Sequence, residues 1–516
     1  MNQSNKLFEL IHSLSKSEKR HFKLSYQNIS SNKNYIKLFD AIIQQTKFDD
    51  YALKRKFEGE TFVKQFNVSK LYLYDLITNS LVKYNEEKNI ELQCKTYLQK
   101  AIILIDKTFY QQAVLQILKA KKLAEEYELY LESYQCINLL KRLFTTRISL
   151  DKWNYDLIRL KEEENSILEK LRLYNLFNNI QADTSNFLRH TPFITSEVQK
   201  TAINKIIQPI INTDINSIKS YSIKIVYYNI MVNYYHFIND LGKTKQFTLL
   251  RYQCLKEAKY KITDAKRKET GYLANHIHAC LNIQAYDEAK IWIDELKQIL
   301  IRDKKLLFNT SYFKRFTVAY NMLINYYIET GKFKEGLQFS EPIIINFDSI
   351  TLSSFDDKVH YIAILHSTTM LYFGANNLDK ALTWNNKILN QNVKSTNTYY
   401  GLAQILNILI HFDLQNYRYV EQIIPSTQKA LRRNKLYTNA EKILLSGLGK
   451  LAKNVQNPEK FKTILKNTQK SLNEIETHPL KLNLLLYYDI DAWLSSKIKK
   501  VSVEKIIQTK AKKKTA

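Results

Sequence analysis

The sequence predicts an all-α fold, in which an irregular solenoid of antiparallel helical hairpins follows an N-terminal helical bundle. The 516-residue chain contains only 9 Gly and 6 Pro. That is too few for the turns of an all-β fold or the glycine-cornered loops of nucleotide-binding α/β folds. Apolar residues recur at helical spacing along the chain. A short turn-plus-helix signature also recurs, and such repetition is typical of solenoids.

The clearest hairpin covers residues 98–127. Its second helix carries an apolar stripe in which successive members are 4, 3, 4 and 3 residues apart, as one face of a helix requires. The stripe consists of Ala113, Ile117, Ala120, Ala124 and Tyr127. Only residues 106–109 separate this helix from the preceding apolar one. Because so short a connection permits only a tight turn, the two helices are predicted to be antiparallel.

The recurring signature is an aromatic residue or Leu, then two polar residues, then a small residue. Gly331 stands two residues before one copy, where a turn favours glycine. These residues resemble the tetratricopeptide repeat (TPR), whose consensus combines a Gly-polar-Tyr turn with Ala on the second helix. The resemblance implies helical hairpins whose first helices line a concave, partner-binding surface. The copies begin at Tyr110, Tyr286, Phe333 and Leu378, with a weaker one at Tyr417.

The copies depart from the regular repeat in their spacing. From Tyr286 onwards the signatures are 47, 45 and 39 residues apart, against about 34 in the regular TPR. We therefore expect longer helices or irregular turns, and no peptide-binding residue of the family can be transferred by position. Residues 14–22 and 35–39 are also similar to an uncharacterised bacterial family of TPR-like proteins, a resemblance that implies no activity.

Changes in composition and in the spacing of apolar residues predict three regions. Residues 1–85 are predicted to form a bundle of short helices, in which Ser15 and Glu18 stand at capping-box spacing and Asp49 precedes a helix. Residues 86–500 are predicted to form the TPR-like solenoid. Residues 501–516 are Lys-rich and poor in apolar residues, and are predicted to be a short helix that frays into a basic tail.

Composition indicates a cytoplasmic protein without a membrane span. The four cysteines stand far apart, which favours reduced thiols, and neither a signal peptide nor a continuous apolar stretch of about 20 residues is found. The net charge is +27, but Lys outnumbers Arg by 63 to 14. Since Arg is the residue suited to bidentate phosphate contacts, we interpret the charge chiefly as codon bias and solvated helix faces, with a polyanion-binding surface as the alternative. The cysteines are Cys94, Cys136, Cys254 and Cys280.

No motif predicts catalysis or a cofactor. Walker, GxGxxG, HExxH and GxSxG patterns are absent from the sequence. His276, His278 and Cys280 are the nearest approach to a metal site. On a helix His276 and Cys280 share a face but His278 does not. Because a structural zinc site requires four ligands, we interpret these three residues as packed side chains without a metal. The sequence likewise predicts no cofactor and no small-molecule substrate.

The preferred functional hypothesis is therefore a non-enzymatic scaffold that binds a protein or peptide partner on the concave face of the solenoid. The excess of Lys suggests an acidic partner, because charge complementarity favours encounter and specificity. Asn321, Asn325 and Tyr399, on the predicted first helices, are the candidate partner-binding residues.

The alternative hypothesis is a nucleic-acid-associated regulator. Residues 61–77 resemble a helix-turn-helix, with the turn at residues 67–69 and a second helix that would enter the DNA major groove. Asn67 in place of the usual glycine, the apolar Leu71 and the acidic Asp75 depart from the motif. The competing interpretation is a structural hairpin of the bundle. The DNA-contacting candidates are Lys64, Lys70, Tyr72 and Tyr74.

Overall fold

The fold is described by a computed structural model for residues 3–26, 33–86, 88–144, 155–191, 196–258, 261–302, 310–344, 355–390, 397–434, 436–475 and 488–515. In these residues all regular secondary structure is helical, which confirms the predicted all-α fold. None of the described helices combines the length and the apolar content that crossing a membrane requires. The helices are α1 (Gln3–Ser13), α2 (Lys16–Tyr26), α3 (Lys33–Ile43), α4 (Asp50–Lys56), a 3₁₀ helix (Thr61–Gln65), α5 (Phe66–Glu86), α6 (Ile90–Asp106), α7 (Tyr110–Glu126), α8 (Tyr130–Phe144), α9 (Leu157–His190), α10 (Glu197–Ile207), α11 (Tyr221–Phe237), α12 (Leu241–Glu257), α13 (Ala265–Asn282), α14 (Tyr286–Arg302), α15 (Thr310–Glu329), α16 (Phe333–Ile344), α17 (Phe355–Gly374), α18 (Leu378–Leu389), α19 (Asn397–Asp413), α20 (Tyr417–Arg433), α21 (Asn439–Lys453), α22 (Pro458–Asn473), α23 (Ile490–Lys499) and α24 (Val503–Thr515).

The chain divides into two compact units, which are described separately. The predicted boundary between residues 85 and 86 lies at the end of α5, inside the first unit. Within that unit α1 to α5 share one apolar core, and α6 to α8 build a second core with the first part of α9. The first unit comprises Met1–Ser185, Lys205–Ile230 and Gln253–Lys266, and the second comprises Asn186–Asn204, Met231–Tyr252 and Arg267–Ala516.

Local signals begin the helices of the bundle where the sequence predicts. The Ser15 amide donates to Glu18 Oε2 at 2.7 Å and the Glu18 amide donates to Ser15 Oγ at 3.3 Å, so the capping box is formed. The Ala52 amide donates to Asp49 Oδ1 at 2.9 Å and caps α4. Each cap satisfies backbone donors that a helix start leaves without a partner.

The recurring signature marks helix starts. Each of its aromatic or Leu positions is the first residue of a helix, namely of α7, α14, α16, α18 and α20. The small residue three positions later is buried in every copy. Two residues before each start, the backbone has a positive φ, which L-residues other than Gly adopt at a cost. These left-handed residues are Thr108, Gln284, Gly331, Asn376 and Gln415, with φ between 60° and 67°.

A backbone hydrogen bond closes each of these turns. The residue after the left-handed one donates its amide to the carbonyl of the residue five positions before itself, as in a Schellman motif that ends a helix. Examples are Lys332 N to Tyr327 O at 2.8 Å and Asn377 N to Tyr372 O at 2.8 Å. The same turn precedes α8 and α12, at Glu128 and Asn239, where we had identified no copy of the signature.

In the second unit the hairpins stack as in a solenoid. From α14 onwards consecutive described helices pack against one another, and α15, α17 and α19 also pack side by side as the first helices of successive hairpins. Their buried residues belong to one continuous apolar cluster. This is the arrangement by which a stack buries a face that no hairpin can bury alone.

The C-terminal segment corrects the prediction of a basic tail. Residues Val503–Thr515 form the helix α24, which packs on α23 and returns to α14. Ile507 is buried, and Gln508 Nε2 donates to Gly331 O at 3.0 Å. Val503, Ile506 and Ala511 also pack against the apolar core, and composition alone does not reveal these contacts.

Gly374, the last residue of α17, offers a test of the hairpin packing. A Cβ atom at this position would lie 2.1 Å from Cε1 of the buried Phe333 ring, whereas a Cβ at Gly271 in α13 would meet no atom within 4 Å. We expect Gly374→Ala to destabilise the protein by about 1–3 kcal/mol through overpacking. Gly271→Ala, the control, should stabilise it by about 0.5–1 kcal/mol. Thermal unfolding midpoints of both variants test this, and equal shifts would contradict the packing.

Candidate functional site

The second unit encloses a cleft of about 940 Å³. One wall consists of residues of α13, α15, α17 and α19, the first helices of four hairpins. The opposite wall is supplied by residues of α22, α23 and α24 and by residues next to these helices. The cleft therefore lies along the hairpin face that the sequence predicts to bind a partner.

The amphipathic character of α15 places polar side chains in the cleft. Tyr320, Leu323 and Tyr327 are buried in the apolar core of the unit. Asn321 and Asn325 lie on the cleft side of the same helix. Four residues separate these two asparagines, so their side chains follow one another along one face at about 6 Å.

All three predicted partner-binding residues line this cleft. Asn321 and Asn325 come from α15, and Tyr399 comes from α19, where its ring contacts that of His366 at 5.7 Å between centroids. Among the described residues Asn321 Oδ1 finds no hydrogen-bond partner although the atom is buried. Because an unpaired buried carbonyl costs free energy, a rotation of this carboxamide into the cleft would let the oxygen accept a hydrogen bond from a bound molecule.

Three histidines line the cleft as well, and the sequence interpretation did not identify them as site residues. They are His278, His360 and His366. Burial lowers the pKa of His366 to about 4. Burial and the neighbouring His236 lower the pKa of His278. Both imidazoles are therefore neutral at pH 7, where a ring nitrogen can donate or accept a hydrogen bond.

The charges of the lining differ from those of the whole chain. Although the protein carries +27, the charged side chains among the described lining residues are Glu329, Asp489, Asp491 and Lys510. These four side chains together carry a net negative charge. The expectation of an acidic partner rested on the overall excess of Lys, which is not found at this surface.

Lys510 joins α24 to the start of α23. Its Nζ lies 2.9 Å from Asp489 Oδ2 and 2.7 Å from Asp491 Oδ2. Gln469 Nε2 also donates to Asp491 Oδ1, at 2.6 Å. Burial alone would raise the pKa of Asp491, but the hydrogen bonds from Lys510, Gln469 and Asn473 outweigh it and hold this pKa below its ordinary value. The ion pairs hold α24 against the cleft.

The three residues considered above for a metal site do not lie together. His276 and Cys280 are both buried, with Nε2 and Sγ 3.7 Å apart, whereas His278 lines the cleft. Glu288, at the start of α14, places Oε1 4.0 Å from His276 Nε2. The sequence pattern does not indicate Glu288, because it is eight residues from Cys280, across the turn that begins α14.

The predicted helix-turn-helix is not formed. The proposed turn at residues 67–69 lies within the continuous helix α5. Ser69 is buried and donates through Oγ to Phe62 O at 3.0 Å. Lys70 is only 6% exposed and its Nζ lies 2.7 Å from Asp50 Oδ1.

The other DNA-contacting candidates do not compensate for this. Lys64, Tyr72 and Tyr74 are exposed on the surface of the first unit, but Asp75 is exposed beside them on α5. The Tyr72 ring contacts that of Tyr35 at 4.6 Å between centroids. The segment is therefore a structural part of the bundle, and Lys70 is unavailable to phosphate.

Comparison with known proteins gives no assignment: neither a scan against models of protein families nor a search of curated proteins finds a match for this chain.

The link between α24 and α23 can be tested at Lys510. We expect Lys510→Met to speed amide hydrogen exchange in α24 by roughly two- to five-fold, the range expected for a partly exposed ion pair. The control is Lys513→Met, an exposed residue of the same helix. Hydrogen exchange followed by mass spectrometry measures both variants at neutral pH, and unchanged exchange in Lys510→Met would exclude the link.

The same ion pairs predict a pH dependence. Because the pKa of Asp491 is lowered on folding, its contribution to stability is present above the ordinary Asp pKa of about 3.9 and is lost as the pH falls through the lowered value. The difference in thermal midpoint between wild type and Lys510→Met should therefore shrink in acid. A difference that stays constant from neutral pH to below about pH 3 would contradict the sign of this shift.

Proposed function

We propose that the second unit binds an extended segment of a protein partner in the cleft, as a binding module and not as an enzyme. The observation that carries the proposal is the pair Asn321 and Asn325 in the cleft wall, with Asn321 Oδ1 buried and lacking a partner among the described residues. A carboxamide offers the same donor and acceptor groups as a peptide bond. It can therefore pair with a peptide backbone whatever the sequence of the peptide.

The spacing of the two asparagines supports an extended segment. Four residues of helix rise about 6 Å, and two residues of an extended chain span about 6.5 Å. Alternate peptide groups of such a segment would thus face Asn321 and Asn325 in succession. The size of the cleft, about 940 Å³, is at the upper end of ligand-binding pockets, which suits several residues better than a small metabolite.

The lining also indicates the chemical character of the segment. Apolar side chains such as Met322, Met370 and Leu472 would receive apolar residues of the partner. The negative balance set by Glu329, Asp489 and Asp491 against Lys510 favours a neutral or basic segment over an acidic one. The resemblance of the hairpins to TPR repeats is in accord with this proposal.

Selection of peptides tests the proposal. A library of random twelve-residue peptides is selected on the immobilised full chain, and the enriched peptides are measured by fluorescence anisotropy. The double variant Asn321→Ala/Asn325→Ala should weaken their binding by about ten- to a hundred-fold, since each lost hydrogen bond contributes about 0.5–1.5 kcal/mol. The enriched peptides should be neutral or basic.

The control is Asn67→Ala/Asn79→Ala, which removes two exposed asparagines of α5 in the first unit. It should bind the peptides as the wild type does. Circular dichroism verifies that both double variants keep their helical content. Peptides that bind the cleft variant and the wild type equally would refute the role of the asparagines, and enrichment of acidic peptides would refute the inferred charge of the partner.

A further inference from the structure

A cluster of three metal-ligand side chains lies in the first hairpin of the second unit, apart from the cleft. His276 and Cys280 stand one helical turn apart on α13, and Glu288 lies at the start of α14. His276 Nε2 is 3.7 Å from Cys280 Sγ and 4.0 Å from Glu288 Oε1. One ligand atom from each residue can be chosen so that all three lie within 4.8 Å of one another.

The contacts of His276 orient its free lone pair. Its Nδ1 lies 2.9 Å from Thr248 Oγ1, and that hydroxyl donates its own proton to Lys245 O at 2.8 Å. Thr248 Oγ1 therefore accepts a hydrogen bond from Nδ1–H, and the lone pair of the neutral ring is on Nε2, towards Cys280 and Glu288. The edge of Trp292 against the imidazole, with centroids 5.2 Å apart, holds the ring in this orientation.

Between the three ligand atoms there is no positive group, since Lys245 contacts the other carboxylate oxygen of Glu288, Oε2. A nitrogen lone pair and a carboxylate oxygen 4.0 Å apart repel each other, and water that would screen them is excluded from His276, which is fully buried. We infer that His276 Nε2, Cys280 Sγ and Glu288 Oε1 bind a transition-metal ion of the zinc class. Imidazole nitrogen, thiolate and carboxylate are the three ligand types that Zn²⁺ takes.

The distances fit such an ion after small side-chain movements. Zinc bonds of about 2.0–2.3 Å in a tetrahedral site place ligand atoms about 3.3–3.6 Å apart, close to the 3.7 and 4.0 Å observed. Thr248 supplies the outer partner that a ligating histidine normally has. Three protein ligands leave the fourth position to a water molecule.

Access and charge set how tightly the ion is held. The side chains of Glu288 and Lys245 are 33% and 28% exposed, so the carboxylate end of the cluster reaches solvent. Binding breaks the Cys280 S–H bond as the metal–sulfur bond forms, and the proton passes to solvent. Lys245 Nζ lies 2.5 Å from Glu288 Oε2 and leaves Oε1 for the metal. Since the cluster gains one positive charge, the Lys245 ammonium weakens the binding.

A bound ion would tie α13 to α14 through side chains, in addition to the turn between them. The full chain, stripped with a chelator, is titrated with Co²⁺ as the probe and then with Zn²⁺. We expect one Co²⁺ per chain, a near-ultraviolet thiolate-to-cobalt charge-transfer band, and loss of that band on adding Zn²⁺. Thr248→Val should weaken Co²⁺ binding by roughly 10–100-fold, the range for lost outer partners.

Two variants remove ligands and one serves as a control. Cys280→Ser should abolish the charge-transfer band, and Glu288→Gln, which keeps the size of the side chain, should weaken Co²⁺ binding at least as much as Thr248→Val. Cys254→Ser, a change at a buried cysteine of the first unit, should retain the band. If circular dichroism shows that Cys280→Ser does not fold, the Co²⁺ binding of Glu288→Gln and Thr248→Val tests the inference. Absence of the band in wild type, or its full strength in both of those variants, would overturn the inference.

Discussion

The structure depends on one backbone constraint, the left-handed turn that ends one helix and begins the next. A residue with positive φ reverses the chain within a few residues, and a main-chain hydrogen bond closes the turn between the amide after that residue and the carbonyl four residues before it. Because the turn is so short, each helix must pack antiparallel to the one before it. The small residue one turn into the second helix, such as Ala289 or Ala381, then allows the two helices to approach closely.

This constraint also determines where chemistry can occur. The hairpins stack with α15, α17 and α19 side by side, so the polar stripes of these first helices form one wall. The C-terminal helices supply the opposite wall and bring Asp489, Asp491 and Lys510 to it. A chain with a large excess of Lys therefore contains a cleft whose own charges are mostly acidic. Net charge describes the average surface, and the ion pairs around a site decide its local sign.

Much of the hairpin framework could be predicted from the sequence, because an aromatic residue and a small residue three positions later are both needed where two helices meet. Tyr286 and Phe333 begin helices for that reason. The turns before α8 and α12 do not show the signature, because Leu131 and Gly242 stand where it has its first polar residue. Asn321 and Asn325 could be chosen because polar residues outside the apolar stripe of a helix point away from the core.

Contacts between distant segments could not be predicted in this way. The pairing of Lys510 with Asp489 and the burial of Lys70 against Asp50 depend on how helices meet in space. The helix-turn-helix interpretation failed for the same reason, since Asn67 and Ser69 suit a turn locally but Ser69 is buried within α5. Local sequence fixes where a helix can begin, whereas tertiary packing decides whether it continues.

The turns have a consequence for how such a chain can change over time. Their closing bonds join backbone atoms, and the left-handed position is filled by Thr, Gln, Gly and Asn in different copies. The turn therefore places little constraint on the identity of its residue, whereas close packing constrains the size of the buried residues. Copies can drift apart in sequence and in helix length while the hairpin persists. The likeness among these turns is accordingly plainer in the backbone than in the side chains.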